Sequence, residues 1–485
     1  MNKRLILYIL GWVLIVEAVA MQACTLTSVI YREHEGIYFF LTGLVAAALG
    51  ILAVKVKKPK NMVLYQKAGF AATALSWILM SLVAALPFFL SREIPNYLDA
   101  FFESASGFTT TGATILEDVE SLSHGMLLWR SIMVWLGGMG VIVFLLALIP
   151  KLGGQQNIFL MRAESPGPII GKAMPKMRNY AALLYGIYMG LTALEIILLL
   201  CGGVGFFDSV NVAFSNAGTG GFGIHNNNMA AYPTRYQQTV IAVFMMLFGI
   251  NFSVYILILG RKFKQAFRFE ELWYYLGVIA VSTLVIAVNI LQVPRFNNDF
   301  GTTIHQSFFY VSSIITTTGF GIGDVNDWPQ LSQAIILVIT FMGAMAGSTG
   351  GGFKISRMII LAKEVKKELS LLIHPRNIKT IKMDGKSIDH NITRNTSVFL
   401  VVYMAVFVIS FLLVSIEGQQ TETSFTAVAA TLNNTGPGFG RVGPVGNYAF
   451  FTPFSKCVLI FDMIAGRLEL FPILLMLSPS AWKKS

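Results

Sequence analysis

Runs of about 20 consecutive apolar residues recur along almost the whole chain, and they restrict its fold more than any other feature. A run of this length matches one helical crossing of the bilayer hydrocarbon. Charged residues make up only 13% of the chain, whereas an ordinary soluble domain has about 25%. We therefore predict an all-α polytopic membrane protein. Its ten candidate spanning helices lie at residues 5–29, 37–55, 68–90, 126–150, 180–203, 236–260, 271–293, 331–360, 395–416 and 452–478.

The net charge of +11 comes from short basic clusters between these runs, such as "KVKKPK" at 55–60 and "RKFK" at 261–264. This distribution is typical of the positive-inside rule and not of a nucleic-acid-binding domain, so we expect no nucleic-acid partner. With ten spans, the two clusters, residues 354–394 and the terminal "WKKS" fall on one side. We predict that this side and both chain termini are cytoplasmic.

The cysteines argue against a disulfide framework or a zinc site. Cys24, Cys201 and Cys457 lie in or beside apolar runs without C-x-x-C spacing, and the six histidines are scattered. The first 24 residues imitate a secretory signal peptide, but Glu17 and the length of the apolar run favour a retained first helix.

Four stretches rich in threonine and glycine resemble one another. They read "SGFTTTGAT" (106–114), "NAGTGGFGI" (216–224), "IITTTGFGI" (314–322) and "LNNTGPGFG" (432–440). Aligning Gly112, Gly221, Gly319 and Gly436 places each at a similar distance from the apolar runs on either side. The sequence thus predicts four copies of one unit after an N-terminal helical hairpin. The predicted boundaries are 1–60 for the hairpin and 61–178, 179–268, 269–393 and 394–485 for the units.

Each copy has a spanning helix, a short helix, a Thr/Gly segment and a second spanning helix. Short helices such as "DSVNVAFSNA" have about ten to twelve residues, which at 1.5 Å per residue reach about halfway through a ~30 Å hydrocarbon core. We predict that they are half-helices that re-enter from the outside.

Non-helical backbone at membrane depth survives only where it is buried in protein or lines a watery path. The core "TTTGFG" has no carboxylate, amine or imidazole, so backbone carbonyls and threonine hydroxyls are its available ligands. Such oxygens suit a large monovalent cation, and glycine allows successive carbonyls to turn toward one axis. Each half-helix would add the negative end of its dipole. The alternative is a set of glycine-rich extracellular turns, which four matched copies disfavour.

The motifs "TTTGAT", "GTGGFG", "TTTGFG" and "NTGPGFG", each between two helices, resemble the Trk/Ktr/HKT superfamily of potassium transporters over essentially the whole chain. The extra hairpin is most similar to the bacterial branch. The resemblance implies four fused helix–pore loop–helix repeats around a pseudo-fourfold pore, potassium as the transported ion, no organic cofactor in this chain and a bacterial inner-membrane location. By position, the implied ion-binding residues are Thr110, Thr111, Gly112, Thr219, Gly220, Gly221, Thr317, Thr318, Gly319, Asn434, Thr435 and Gly436.

Selectivity can be read from departures within these motifs. In the plant branch, serine in the place of Gly112 accompanies sodium transport, so glycine here favours potassium. Ala113, where two other copies have phenylalanine, and Pro437 in the fourth copy predict a less regular filter and moderate selectivity.

"AMAGSTGGGFKISR" at 344–357 interrupts the last helix of the third unit, because three consecutive glycines disfavour a continuous helix. The alternative is close packing of small residues against another helix. The resemblance implies a flexible loop that blocks the path beneath the filter. The gate residues would be Gly347, Ser348, Thr349, Gly350, Gly351 and Gly352.

Arg467 lies inside the last predicted helix, where a charge at bilayer depth indicates a functional residue facing the interior. Directed at the pathway, it would raise a barrier to cations, which the resemblance also implies. The alternatives are snorkelling to the interface or an ion pair with Asp462 or Glu469.

The connections at 149–179 and 354–394 are either solvated loops or docking sites. The resemblance implies a homodimer and a cytosolic nucleotide-binding regulatory subunit of the TrkA type. The chain has no G-x-x-x-x-G-K-[ST] motif, so any nucleotide dependence would come from that partner.

Two rival functions remain to be compared. An intramembrane enzyme would need paired acid–base or nucleophilic groups at matched depth, which the chain lacks. A secondary transporter for an organic solute would be expected to have inverted repeats, whereas these are parallel. Coupling of potassium to protons or sodium stays open.

Overall fold

The computed structural model describes residues 3–56, 66–140, 177–296, 298–375 and 380–477. These residues are mostly helical, with two short antiparallel strands at Lys382–Met383 and Lys386–Ser387. The helices are α1 Lys3–Tyr31, α2 Gly36–Val56, α3 Gln66–Ser91, α4 Tyr97–Phe108, α5 His124–Met139, α6 Met177–Cys201, α7 Phe206–Ala217, α8 Arg235–Phe248, α9 Phe252–Leu259, α10 Phe263–Ala266, α11 Glu270–Ile290, α12 Phe300–Ile315, α13 Gln330–Met342, α14 Ile355–Ile373, α15 His390–Ser415, α16 Thr421–Leu432, α17 Pro453–Arg467 and α18 Phe471–Leu477.

Six helices in the described ranges, namely α1, α2, α3, α6, α11 and α15, are long and apolar enough to cross a membrane. Many of their apolar side chains are exposed on the surface of the bundle, among them Leu44, Val281 and Val401. Exposed apolar side chains on such helices face hydrocarbon in a membrane protein. The predicted all-α membrane protein is therefore confirmed.

In the second, third and fourth units, the second helix is not one continuous span, and here the expected ten spans need correction. The predicted span 236–260 is split into α8 and α9, which meet at an angle of 91°. The predicted span 331–360 is split into α13 and α14, and the span 452–478 into α17 and α18. The span 126–150 extends beyond Met139 into residues that the structure does not describe.

Two of these breaks coincide with particular local features. A Cβ at Gly249 would lie 2.5 Å from the Tyr275 hydroxyl, and the Asn251 side chain caps α9 by accepting from the Ser253 amide at 2.8 Å. Between α17 and α18, Glu469 and Leu470 adopt positive φ values of 52° and 64°. Non-glycine residues rarely adopt this conformation, so it ends the helix without a sequence signal.

The half-helices α4, α7, α12 and α16 re-enter from one side of the bundle. In every unit, a hydrogen bond joins the end of the first helix to the start of the second, so the chain enters and leaves on the same side. The four contacts are Ser123 Oγ to Glu93 Oε1 (2.8 Å), Gln237 Nε2 to Gly202 O (2.9 Å), Ser332 Oγ to Asn289 Oδ1 (2.7 Å) and Thr452 N to Glu417 Oε1 (2.9 Å). This side is called the outer side, and the opposite side the inner side.

The N-terminal hairpin packs α1 against α2 through small residues. A Cβ on Gly50 would lie 2.6 Å from the carbonyl oxygen of Gly11, so only glycine allows this approach. At its outer end the Glu33 carboxylate accepts from the His124 amide at 2.8 Å and thereby caps α5. The unit boundaries at residues 60, 178, 268 and 393 remain predictions, and the first lies outside the described residues.

Candidate ion pathway

The four Thr/Gly segments share one unusual backbone conformation. Each segment contributes three consecutive residues to the ring. The first and third of these residues have positive φ, and the middle one does not. The φ values are 54° and 79° at Thr110 and Gly112, 55° and 70° at Thr219 and Gly221, 59° and 81° at Thr317 and Gly319, and 55° and 88° at Asn434 and Gly436. Alternation of left-handed and other conformations turns successive carbonyl groups toward the same side of the chain.

The segments form a closed ring, in which each glycine packs on the next segment. A Cβ built on each glycine would overlap the carbonyl oxygen of the residue that precedes the next glycine. The distances are 2.1 Å from Gly112 to Gly220 O, 1.9 Å from Gly221 to Thr318 O, 2.2 Å from Gly319 to Thr435 O and 2.4 Å from Gly436 to Thr111 O. Because the fourth contact returns to the first segment, the four surround a common axis.

The amides of the first two ring residues in each segment donate hydrogen bonds, whereas the carbonyls of the same residues accept none from the described residues. The middle amide of each segment donates to a carbonyl in the last turn of its half-helix: Thr111 to Ser106 O, Gly220 to Ser215 O, Thr318 to Ser313 O and Thr435 to Ala430 O, at 2.8–3.0 Å. Eight buried carbonyls accept no hydrogen bond from the described residues. They belong to Thr110, Thr111, Thr219, Gly220, Thr317, Thr318, Asn434 and Thr435.

Buried carbonyls that accept no hydrogen bond are uncommon in proteins, so eight in one ring indicate a ligand that oxygen atoms coordinate. The hydroxyls of Thr110 and Thr435 also have no hydrogen-bond partner among the described residues. Uncharged oxygens can replace the hydration shell of a cation without binding it too tightly. The uncharged oxygens of the ring are therefore suited to bind a monovalent cation.

A buried ion pair supports the outer rim of the ring. The Arg130 Nε donates to the Glu103 carboxylate at 2.8 Å, and both side chains are almost completely buried. Glu103 also accepts from the Thr114 hydroxyl at 3.0 Å, and Arg130 donates to the carbonyl of Gly223 at 2.8 Å. Since Thr114 follows the first segment and Gly223 follows the second, the pair fixes two neighbouring segments.

The glycine loop, residues 343–354, lies directly beneath the ring. A Cβ on Gly350 would lie 2.8 Å from the carbonyl of Thr316, and one on Gly351 would lie 2.4 Å from that of Asn433. The Gly351 amide also donates to the Thr317 hydroxyl at 2.6 Å. The loop therefore contacts the inner ends of the third and fourth segments.

The same loop rests on the break between α8 and α9. The Met345 amide donates to the carbonyl of Gly249 at 3.2 Å, and the Phe252 amide donates to that of Gly347 at 3.0 Å. The amide and hydroxyl of Thr349 both donate to the carbonyl of Phe248, at 3.4 and 3.2 Å. The free backbone groups at the break are thus satisfied by the loop, which crosses from the third unit to the second.

A carboxylate that the sequence did not indicate binds both the loop and the start of α14. The Glu271 Oε1 accepts from the amides of Ala346 and Ser356, at 2.8 and 3.0 Å. Lys354, with a positive φ of 79°, donates its ammonium to the carbonyl of Gly350. A carboxylate two residues into an apolar helix was the available signal, but its partners are 75 and 85 residues away.

Arg467 connects the glycine loop to the first unit. Its guanidinium donates to the carbonyl of Thr349 at 2.8 Å and to those of Gly137 and Gly138 at 2.5 and 2.6 Å. The two acids considered as its partners are engaged elsewhere: Asp462 accepts from the Ser410 hydroxyl at 2.6 Å, and Glu469 pairs with Arg357. With its bond to Arg467, the loop is linked to all four units.

Both connections considered as docking sites lie partly outside the described residues. Of residues 149–179, only the last three belong to the described ranges. Residues 354–394 contain α14, the two short strands and the start of α15, apart from 376–379, which lie outside the described residues.

Comparison with known proteins identifies the family. Residues 36–484 match the TrkH family of cation transport proteins. The Trk system potassium uptake protein TrkH of Salmonella typhimurium and that of Escherichia coli K12 are each 36% identical to the chain over the full length of both proteins. The Trk system potassium uptake protein TrkG of Escherichia coli K12 is 30% identical over 99% of each chain.

A solved structure shows the same fold. The crystal structure of the potassium transporter TrkH from Vibrio parahaemolyticus superposes with a TM-score of 0.89 at 30% identity, and the match covers 100% of both chains. The expected resemblance to the bacterial Trk membrane subunits is confirmed. The chain belongs to the TrkH family of cation transport proteins, and it is a membrane transporter and not an enzyme.

Proposed function

We propose that the chain conducts potassium across the bacterial inner membrane through the ring of four Thr/Gly segments. The observation that carries the proposal is the set of eight buried carbonyls that accept no hydrogen bond from the described residues. A dehydrated potassium ion on the axis would satisfy them, as in filters built from backbone carbonyls. The names of the relatives, which are potassium uptake proteins, agree with this choice of ion.

Potassium is favoured over sodium because all four ring positions are glycine. A side chain at Gly112 would push the Gly220 carbonyl out of the ring, since the built Cβ lies 2.1 Å from that oxygen. Ala113 and Pro437 make the copies unequal, so we expect the selectivity to be moderate.

The test is cation flux into liposomes that contain the purified protein. Potassium and rubidium should enter faster than sodium, and Gly112→Ser should reduce that difference. Gly186→Ser is the matched control, because a Cβ at Gly186 meets nothing within 4 Å. If neither the wild type nor Arg467→Ala passes any monovalent cation, with or without an added regulatory subunit, the proposal is wrong.

The arrangement beneath the ring fits a closed gate. The glycine loop with Gly347, Ser348, Thr349, Gly350, Gly351 and Gly352 crosses under the ring, and Arg467 places a positive charge beside it. A cation leaving the ring would meet this charge and the loop backbone. Opening would require the loop and Arg467 to move apart.

Regulation and assembly are proposed on the family alone. The relatives are named as proteins of a Trk system, and we propose that this chain likewise works with a cytosolic nucleotide-binding subunit of the TrkA type and forms a homodimer. In this arrangement the inner side and both termini face the cytoplasm.

A second candidate is ion-coupled uptake, in which potassium enters with a proton or sodium. The observation that favours a proton is Asp462, which is fully buried in α17 and has one carboxylate oxygen without a hydrogen-bond partner among the described residues. Uptake driven by a proton gradient alone, and abolished by Asp462→Asn, would support coupling. Flux that follows only the potassium gradient would exclude it.

A further inference from the structure

An apolar groove of about 680 Å³ runs between α11 and α13 on the surface of the bundle. Its lining includes Trp273, Gly277 and Val281 from α11, and Val338 and Met342 from α13. Trp273, Val281 and Val338 are each about 60% exposed, at 58%, 62% and 60%. Since α11 is one of the membrane-spanning helices, this groove opens toward the lipid hydrocarbon.

The groove exists because the second helix of the third unit stops early. α11 has 21 residues and spans about 31 Å, whereas α13 has 13 residues and spans about 20 Å. After Met342 the chain turns inward at Gly343, with a φ of 69°, to form the glycine loop. The inner half of α11 is therefore left uncovered on this face, and Gly277, where a Cβ would meet nothing within 4 Å, adds depth.

A basic segment lies at the inner end of the groove. Residues 261–268 read "RKFKQAFR" and contain four cationic side chains and no acidic one. Phe263 and Phe267 alternate with these cations and are 52% and 58% exposed. The Trp273 indole, which lines the groove, donates to the carbonyl of Phe267 at 2.8 Å. Exposed aromatic residues among basic ones are typical of a segment in the lipid headgroup region.

We propose that this site binds a phospholipid with an anionic headgroup. One acyl chain lies in the groove between α11 and α13, and the phosphate lies among Arg261, Lys262, Lys264 and Arg268. The shape and apolar lining of the groove suit a hydrocarbon chain. The four cations, all exposed and without an ion pair in the described residues, suit a negative headgroup.

A lipid fits this site better than a second copy of the chain does. A symmetric dimer centred on the groove would bring two "RKFKQAFR" segments toward each other, with eight like charges and no acid between them. An anionic lipid neutralises the same charges. Its acyl chain would also contact Met342, one residue before the hinge of the glycine loop.

The test measures lipid retention by the purified full-length protein, using native mass spectrometry with added phosphatidylglycerol or phosphatidylethanolamine. Gly277→Phe fills the groove, and Gly190→Phe is its control, because Gly190 is also exposed on an apolar helix with nothing within 4 Å of a Cβ. A second variant, Lys262→Gln with Lys264→Gln, leaves the groove intact and removes two charges.

We expect Gly277→Phe to lose both lipids while Gly190→Phe retains them. The double lysine variant should bind phosphatidylglycerol roughly 25-fold more weakly, at about fivefold per cation, with phosphatidylethanolamine unchanged. Equal phosphatidylglycerol binding by all the variants would overturn the proposal. So would dissociation of an oligomer by Gly277→Phe with lipid binding unchanged, since the groove would then be an interface between copies of the chain.

Discussion

Each ring glycine has two separate requirements, a positive φ and space for a neighbouring carbonyl. Gly221 shows both, with a φ of 70° and a built Cβ 1.9 Å from the Thr318 oxygen. Two residues away, Gly223 has neither, since its nearest neighbour would be 3.6 Å from a Cβ. The two glycines look alike in the sequence and differ only in the folded chain.

Gly221→Ala is therefore expected to destabilise the protein by at least about 1–2 kcal/mol from the backbone alone, and to reduce selectivity for rubidium over sodium. Gly223→Ala is the control. Thermal unfolding and liposome flux measure the two effects, and equal behaviour of the two variants would contradict the assignment of Gly221 to the ring.

Arg467 should hold the glycine loop in its closed position, since its three carbonyl contacts join the loop to α5. Hydrogen bonds from a charged group contribute about 1.5–3 kcal/mol each, so Arg467→Ala should raise rubidium flux about tenfold or more. Arg235→Ala, which removes an exposed arginine on the outer side, should change nothing. Unchanged or reduced flux in Arg467→Ala would contradict this role of Arg467.

The residues of the ring could be predicted from the sequence because one pattern occurs four times, and alignment of the four copies identifies the equivalent residues in each. Glu103, Arg130 and Glu271 could not, because their contacts with distant residues have no counterpart in the repeated motif. Arg130 lies 27 residues from Glu103, and Glu271 lies 75 from Ala346. A single carboxylate in an apolar run shows that a partner is needed and does not show which residue it is.

At the scale of helices, length is what the sequence predicts best. The half-helices could be expected because their apolar runs are too short to span a bilayer. The breaks between α8 and α9 and between α17 and α18 were missed. The apolar run continues through the first, and the second, which contains Arg467, Glu469 and Pro472, was assigned to one span. The break at α13 was expected because it alone has three consecutive glycines.

The loop at that break depends on α11 for its position. The Glu271 carboxylate accepts from the loop amide of Ala346 and from the Ser356 amide in the first turn of α14, and its loss would leave both without their charged acceptor. We expect Glu271→Ala to loosen the glycine loop and raise basal flux, in the same direction as Arg467→Ala. Glu270→Ala is the matched control, because Glu270 is the preceding residue and pairs with Lys363 instead. Basal flux that is the same in the two variants would rule out this role of Glu271.

At the scale of the whole molecule, neighbouring units are joined both by the repeated glycine contacts of the ring and by contacts that are not repeated. The Glu103–Arg130 pair links the first and second segments and is completely buried. Arg130→Ala should destabilise the protein by about 3–5 kcal/mol, because it leaves a buried carboxylate without its partner.

The double variant Glu103→Gln with Arg130→Met separates charge from packing in this prediction. It removes both charges, so its unfolding temperature should lie closer to that of the wild type than to that of Arg130→Ala. If the double variant is as unstable as Arg130→Ala, the loss comes from packing and the buried charge is not its cause.

The closed ring also determines how this pathway can change over generations. In a channel made of four identical chains, one codon change alters all four quadrants of the filter. Here it alters one quadrant, since the glycines of the four contacts are encoded separately at residues 112, 221, 319 and 436. A single mutation therefore changes one quarter of the filter. Filters with intermediate ion selectivity can arise in this way, whereas a homotetramer changes all four quarters at once.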